Sequence, residues 1–368
     1  MIMPSSQRSS VQKIMTIGAL DMARNGHRVT IFVPLFPWYY YFVSLRKRPL
    51  LWLRFLLPNL LNLVIQRKSH FKELLKKDKS ADKLVKVKFV LTKASKRQLE
   101  KFDYLLMNSI DNVIGYQYRF NQERQIYILH HPEEQNHGYA DVFKLARQSF
   151  AGKIITISPF TAREIEDHVD SPLVVPNPIS PYFWEIRDKL DAAKQRRDVI
   201  LYCKGTPWDS EGAAIIEELI KLRSNTSVTV WFSGFTNKSA VQSVLSGVRI
   251  AYNLNEQELA ELFLDHSFMV FPSKYEGFGM PPIEAMAGGC IPVLHFGVGA
   301  TELYARENEN CLYMGTDPKV VASRMDDLLS NLENLQSFRR AAVDSIEPFN
   351  PTGYGMKILE TAAVSSVI

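Results

Sequence analysis

The stretch FPSKYEGFGMPPIEAMAGGC, residues 271–290, sets two glutamates, Glu276 and Glu284, seven residues apart around a glycine turn. The apolar run FMVFPS that leads into it reads as a buried strand, and KYEGFGM as the loop at that strand's C-terminal end. Pro281-Pro282 suits the opening turn of a helix, and Gly288-Gly289 its termination. Glu284 is therefore expected in the first helical turn, near amides with no intrahelical acceptor. Gly277 and Gly279 allow the backbone to approach a ligand closely. Helix-start amides attract phosphate, whereas carboxylates accept hydrogen bonds from sugar hydroxyls. A site offering both fits a nucleotide-sugar. Each glutamate alone has an ordinary reading: dipole compensation for Glu284, a solvated loop charge for Glu276. A glycoside hydrolase acid/base pair is a sharper rival, but it needs both acids to flank one bond.

Working outward, the same alternation recurs on both sides. RRDVILYCKG, VTVWFSGF, VRIAYNL and CIPVLHF read as strands, and GAAIIEELIKLRS and NEQELAELFLDH as helices, the latter with Asn255 as N-cap. SPLVVPNPISPYFW is proline-rich and aperiodic and reads as a linker. Upstream, VQKIMTIGALDMARNGH reads as a helix with an Asn-Gly stop, followed by the strand RVTIFVP. The short β-rich runs VKVKFVLT, YLLMNS, IYILHH and KIITIS come next. This order is that of an α/β protein with two parallel-sheet domains, and ligands of such sheets bind at the strands' C-terminal ends. The expected division is an N-terminal domain over 1–180, a C-terminal domain over 181–350, and a final helix over 351–368 packing back on the first domain.

The chain of 368 residues is long enough for two cores, and its 46% hydrophobic and 23% charged residues are those of a globular protein. The three cysteines, Cys203, Cys290 and Cys311, have neither CxxC spacing nor an even framework, which argues against a zinc site or a secreted disulfide scaffold. No leader peptide is expected, and the triplets at Asn225 and Asn237 read as chance. The net charge of +5 divides unevenly: residues 1–103 carry 21 Lys+Arg and 6 Asp+Glu, the remainder 23 and 33. A basic first third points to an anionic partner surface. Within it, residues 38–77 combine an apolar run, a polar stripe (Arg54, Pro58, Asn62, Gln66) and flanking basic clusters including Arg46, Lys47 and Arg48. That pattern is expected to touch a membrane interface without spanning it, against the plainer reading of a hairpin packed on its own domain.

The central stretch matches EGFG-x-P-x-x-E-A-M-A-x-G, and with it the sequence resembles a retaining glycosyltransferase of the GT-B fold, of the large family 4. RNGHRVTIFVP (24–34), KIITISPFTAREI with VVPNPIS (153–165, 174–180), and NEQELAELF with GATELYARENENCLYM (255–263, 299–314) extend the resemblance along most of the chain. It implies two doubly wound, Rossmann-like domains facing a central cleft. It implies that Glu276 holds the transferred sugar and Glu284 the nucleotide ribose, with the amides of Gly277, Phe278, Gly279 and Met280 facing diphosphate or sugar. His130 would sit beside the reacting sugar, with its neighbour His131 the weaker candidate.

Two departures stand out. Such enzymes carry an Arg and a Lys after the second domain's first strand. Here CKGTPWDSEG offers Lys204 and then Glu211, with Lys274 a possible substitute. The glycine turn of the first domain is replaced by Ser5-Ser6 and Ser9-Ser10, whose hydroxyls could line the cleft. The resemblance implies transfer of a hexose-type sugar from a nucleotide diphosphate-sugar, with no cofactor and no metal. It implies attack from the leaving-group face, with the leaving phosphate taking the acceptor's proton. A glycan or lipid-linked saccharide is the expected acceptor, within polysaccharide biosynthesis, at the cytoplasmic face of a membrane. A non-catalytic GT-B homologue binding a glycan or partner is the alternative; a nucleic-acid binder ranks last, since no nucleic-acid-binding signature is present.

Overall fold

The computed structural model describes residues 10–34, 84–90, 94–108, 112, 113, 116, 118–130, 148–167, 169, 172–189, 197–203, 210–232, 248–252 and 254–364. The segment 38–77, Ser5, Ser6, Ser9, His131 and Lys204 lie outside them. The chain forms two compact units, Met1–Pro178 with Pro351–Ile368, and Ile179–Asn350.

In the first unit, helix α1 (Ser10–Arg24) ends at Asn25 and at Gly26, whose φ of 87° suits a residue without Cβ. Strands β1 (Val29–Pro34) and β2 (Val85–Val90) pair in parallel. A four-stranded parallel sheet follows in the order β3 (Leu105–Met107), β4 (Gln125–Leu129), β5 (Lys153–Thr156) and β6 (Leu173–Val174). Among the described residues these are two sheets, where the sequence suggested one doubly wound sheet. The short helices α2 (Lys96–Leu99) and α3 (Pro159–Arg163) connect its parts. The last helix, Tyr354–Val364, belongs to this unit: Asp21, 1% exposed within α1, accepts hydrogen bonds from the N–H groups of Gly353 (2.8 Å) and Met356 (3.2 Å). Those donors have no acceptor of their own in a first helical turn.

The proline-rich segment is more ordered than a linker. Leu173 and Val174 pair with Ile155 and Thr156 as β6, and Pro181 opens helix α4 (Pro181–Ile186) capped by Ser180. Proline fits both places, since a sheet edge and a first helical turn need no N–H from it.

The second unit holds one six-stranded parallel sheet, β7 (Arg197–Cys203), β8 (Val228–Phe232), β9 (Arg249–Tyr252), β10 (His266–Phe271), β11 (Ile291–Leu294) and β12 (Leu312–Tyr313). Its order, β12-β11-β10-β7-β8-β9, reverses direction between β7 and β10. That reversal creates a crevice outside the C-terminal ends of the two strands. Alternate residues face opposite ways. Val199, Leu201, Val228, Val230, Phe268 and Val270 pack with Ile215, Ile216 and Leu219 of α5 (Ser210–Leu222). Tyr202 meets Trp231 edge-on and packs against Phe271, and Trp231 reaches Phe263 of α6 (Glu256–Leu264). Asn255 caps α6, its side chain accepting from Gln257 and Glu258 N–H, as the sequence indicates. Helices α7 (Met280–Ala287), α8 (Thr301–Tyr304), α9 (Pro318–Ser330) and α10 (Leu332–Asp344) complete the unit. Among the described residues no helix is long and apolar enough to cross a membrane.

Candidate active site

The quoted stretch lies at the reversal of the second unit's sheet. Phe271 ends β10, and the loop of residues 272–279 leads into α7. Glu276 is half-buried, and its carboxylate accepts a hydrogen bond from the Ser273 hydroxyl at 2.8 Å. The loop is held from the next crossover. Ala300 N–H donates to Phe278 O at 2.8 Å, and Gly299, at φ 61°, passes so close that an added Cβ would lie 2.4 Å from that oxygen and 3.2 Å from Glu276 Cβ. Only glycine permits both the left-handed backbone and this approach. Phe278 is buried and meets Phe349 edge-on at 5.7 Å, so its backbone amide, rather than its ring, is the part that can face a ligand.

The helix start corrects one expectation. Gly279, at φ 82°, caps α7, and Met280 is already its first residue. Glu284 is then the fifth, beyond the first turn, and is 8% exposed. Dipole compensation at the helix start does not account for it. Pro281 and Pro282 also remove two of the first turn's donors, leaving the amides of Met280 and Ile283 there.

A charged cluster lies along the same sheet edge. Glu211, in the first turn of α5 after β7, pairs with Lys274 Nζ at 2.8 Å and lies 3.4 Å from His295 Nε2, which follows β11. Gly212 allows it: a Cβ there would lie 3.2 Å from Pro272, so the helix start sits close against the end of β10. Lys274 remains 70% exposed. The carboxylate in the second cation position thus has a lysine of its own. Sequence reading named both residues but not the pair, and it did not register His295, Ser273 or Gly299.

Tyr304 of α8 is fully buried and meets Phe349 at 5.9 Å. Burial pushes its phenol well above the ordinary range, with smaller contributions from Cys311 and Glu276. Burial, then the Glu307 carboxylate, pushes the Cys311 thiol up to about 12, which makes it a poor nucleophile. Buried His266 is structural: its Nδ1 is 2.8 Å from Leu262 O and its Nε2 2.8 Å from Thr229 Oγ1.

In the first unit, His130 follows β4 at the C-terminal edge of the sheet and is 7% exposed. The same edge carries buried Asn108, whose Oδ1 accepts from Asn112 Nδ2 at 3.2 Å, and buried Asn177 beyond β6. Ser10 begins α1. Among the described residues no group of three His, Cys, Asp or Glu side chains is placed to hold a metal ion.

Residues 233–344 match the family model for glycosyl transferases group 1. The D-inositol 3-phosphate glycosyltransferase of Streptomyces avermitilis is 30% identical over 148 residues, which are 37% of this chain and 32% of that one. The chain spans 13% and 32% of the lengths of the two curated relatives it matches. Among solved structures, Anabaena HepE in complex with UDP-glucose has a TM-score of 0.66 at 14% identity, covering 100% of this chain and 99% of that one. A glycosyltransferase from Rickettsia africae also gives 0.66, at 13% identity, with 100% and 97% covered. These likenesses identify the fold.

Proposed function

We propose, for a chain of the GT-B fold whose residues 233–344 belong to the group 1 glycosyltransferases, that the protein transfers a sugar from a nucleotide diphosphate-sugar, with retention, to a saccharide acceptor. The observation that carries this reading is the Glu276–Met280 loop, held at the sheet reversal by Ser273, Gly299 and Ala300. Glu276 accepts hydrogen bonds from the donor's sugar hydroxyls. Glu284 accepts from the ribose, and the amides of Gly277 to Met280 turn toward the diphosphate or the sugar. A uridine nucleotide and a hexose are the donor class we favour, supported by the UDP-glucose bound in HepE.

In the transfer, the bond between C1 of the sugar and the diphosphate oxygen breaks, and a bond from C1 to the acceptor oxygen forms on the same face. The acceptor's proton passes to the departing phosphate oxygen, so no protein base is consumed. Cations and amides already fixed around that phosphate lower the barrier, because they need no reorganisation as charge develops. Lys274 and Lys204 are the cations we assign to this role, Lys274 while it also pairs with Glu211. His130 orients the sugar and stabilises positive charge developing at C1. The acceptor we favour is a glycan or lipid-linked saccharide presented at an anionic membrane, supported by the excess of lysine and arginine in residues 1–103.

The test is to incubate the protein with UDP-glucose and follow UDP release and the anomeric configuration of any product by NMR. UDP release with an α-configured product is expected. A β-configured product ends the retaining reading. Nucleotide binding without release under any acceptor tried favours a non-catalytic homologue, the reading to which the Glu211–Lys274 pair would then belong.

A further inference from the structure

We propose that the first unit carries a second ligand site, a pocket for an anionic saccharide, at the edge of its sheet opposite His130. The pocket has a volume of about 390 Å³ and is lined by Lys96, Glu100 and Phe102 on one side and by Tyr118, Arg119, Phe120, Asn121 and Arg124 on the other. That size falls in the lower part of the range of small-molecule sites. Both walls lead into strands: 96–102 precedes β3 and 118–124 precedes β4. In a parallel sheet these N-terminal ends share one edge, and His130 stands at the other end of the five-residue β4. At about 3.3 Å per residue the two edges are about 16 Å apart. The pocket is therefore separate from the first unit's candidate catalytic edge.

Its walls are fixed. Ala94 N–H donates to the buried Tyr116 hydroxyl at 2.9 Å, tying the segment before one wall to the segment before the other. Gln125 Nε2 donates to Phe120 O at 2.9 Å, and Asn121 Oδ1 accepts from Glu123 N–H at 3.0 Å. Phe102 and Phe120 pack against the unit's hydrophobic core and floor the pocket.

The lining selects a chemistry. Lys96, Arg119 and Arg124 set three positive charges in the lining, and none forms an ion pair with another described residue. Tyr118 is 73% exposed, an aromatic face of the kind that takes the C–H surface of a sugar ring. Glu100 and the Asn121 amide can bond hydroxyls. A bare phosphate has no use for the aromatic face. A continuous anionic surface, whether bilayer or nucleic acid, meets the Glu100 carboxylate unfavourably. A sugar bearing a carboxylate, phosphate or sulfate uses all of the lining. The inference stands whether or not the protein is a glycosyltransferase.

Calorimetric titration of the full chain with a tetrasaccharide of alternating glucuronate and N-acetylglucosamine tests it. The comparisons are its carboxyl-reduced neutral counterpart, inorganic phosphate and phosphatidylserine-containing vesicles. The charged tetrasaccharide is expected to bind. The neutral one should bind at least about tenfold more weakly, and Tyr118→Ala and the double variant Arg119→Gln/Arg124→Gln should each lose at least about tenfold. The variants' melting temperatures should stay unchanged, because these side chains are not in the core. No binding of the charged tetrasaccharide overturns the proposal. So does equal binding by folded variants, equal binding of the neutral sugar, or binding of phosphate or vesicles as tight as that of the saccharide.

Discussion

The C-terminal edges of the two large sheets are built differently. In the second unit the edge is fastened by short contacts around one contiguous stretch: Ser273 to Glu276, Ala300 to Phe278 and Lys274 to Glu211, each at 2.8 Å. In the first unit, His130, Asn108 and Asn177 come from three separate strand ends, with Asn108 bonded to Asn112 in the segment that follows β3. The first arrangement holds a carboxylate by a side-chain hydrogen bond and its loop by a backbone one. The second gathers side chains from separate segments, so its chemistry depends on how the strands of the sheet pair.

That comparison can be sharpened by substitution. Glu276→Gln removes a charged acceptor from the fastened edge and should lower the turnover number by about 100- to 1,000-fold, as loss of a preorganised electrostatic contact does. His130→Ala should cost less, about tenfold to hundredfold, if it orients the sugar. Steady-state rates of UDP release measure both, and a larger loss at His130 reverses the comparison. Gly299→Ala strains the backbone and pushes on Phe278 O, so it should destabilise the protein by about 1–3 kcal/mol in urea unfolding. An unchanged midpoint would mean that the loop is not locked from this side. The smallest effect is expected at Glu211→Gln. Freeing the largely exposed Lys274 from a pair worth up to about 1 kcal/mol should tighten UDP binding by up to about fivefold. Weaker binding would make Glu211 a positive contributor to the site.

The difference between the edges also explains what the sequence discloses. The Glu276–Gly289 stretch is read easily because strand, glycine turn, prolines and helix follow one another within one local pattern. The alternation around it suffices for the strands and for a parallel α/β architecture. Pro281 and Pro282 lie in the first turn of α7, as their residue type indicates, but Gly279 caps it so that Met280 comes first, and that one residue moves Glu284 out of the first turn. Strand β6 was hidden because two residues between prolines carry no periodicity, and only pairing with β5 makes them a strand. Glu211 and Lys274 meet because the sheet order sets β7 beside β10, which no local spacing encodes. The basic pocket was invisible for the same reason: Lys96, which begins α2, and Arg124, just before β4, belong to unremarkable segments until two adjacent strands bring those segments together.

The most direct measurement is a calorimetric titration of UDP, GDP and dTDP against the wild-type chain and Glu284→Ala. The account predicts that UDP binds and that the variant weakens it by about tenfold or more, the loss expected for a hydrogen bond to a charged acceptor. Binding of no nucleotide, or equal binding of UDP by the folded variant, would contradict a donor site built on Glu276 and Glu284.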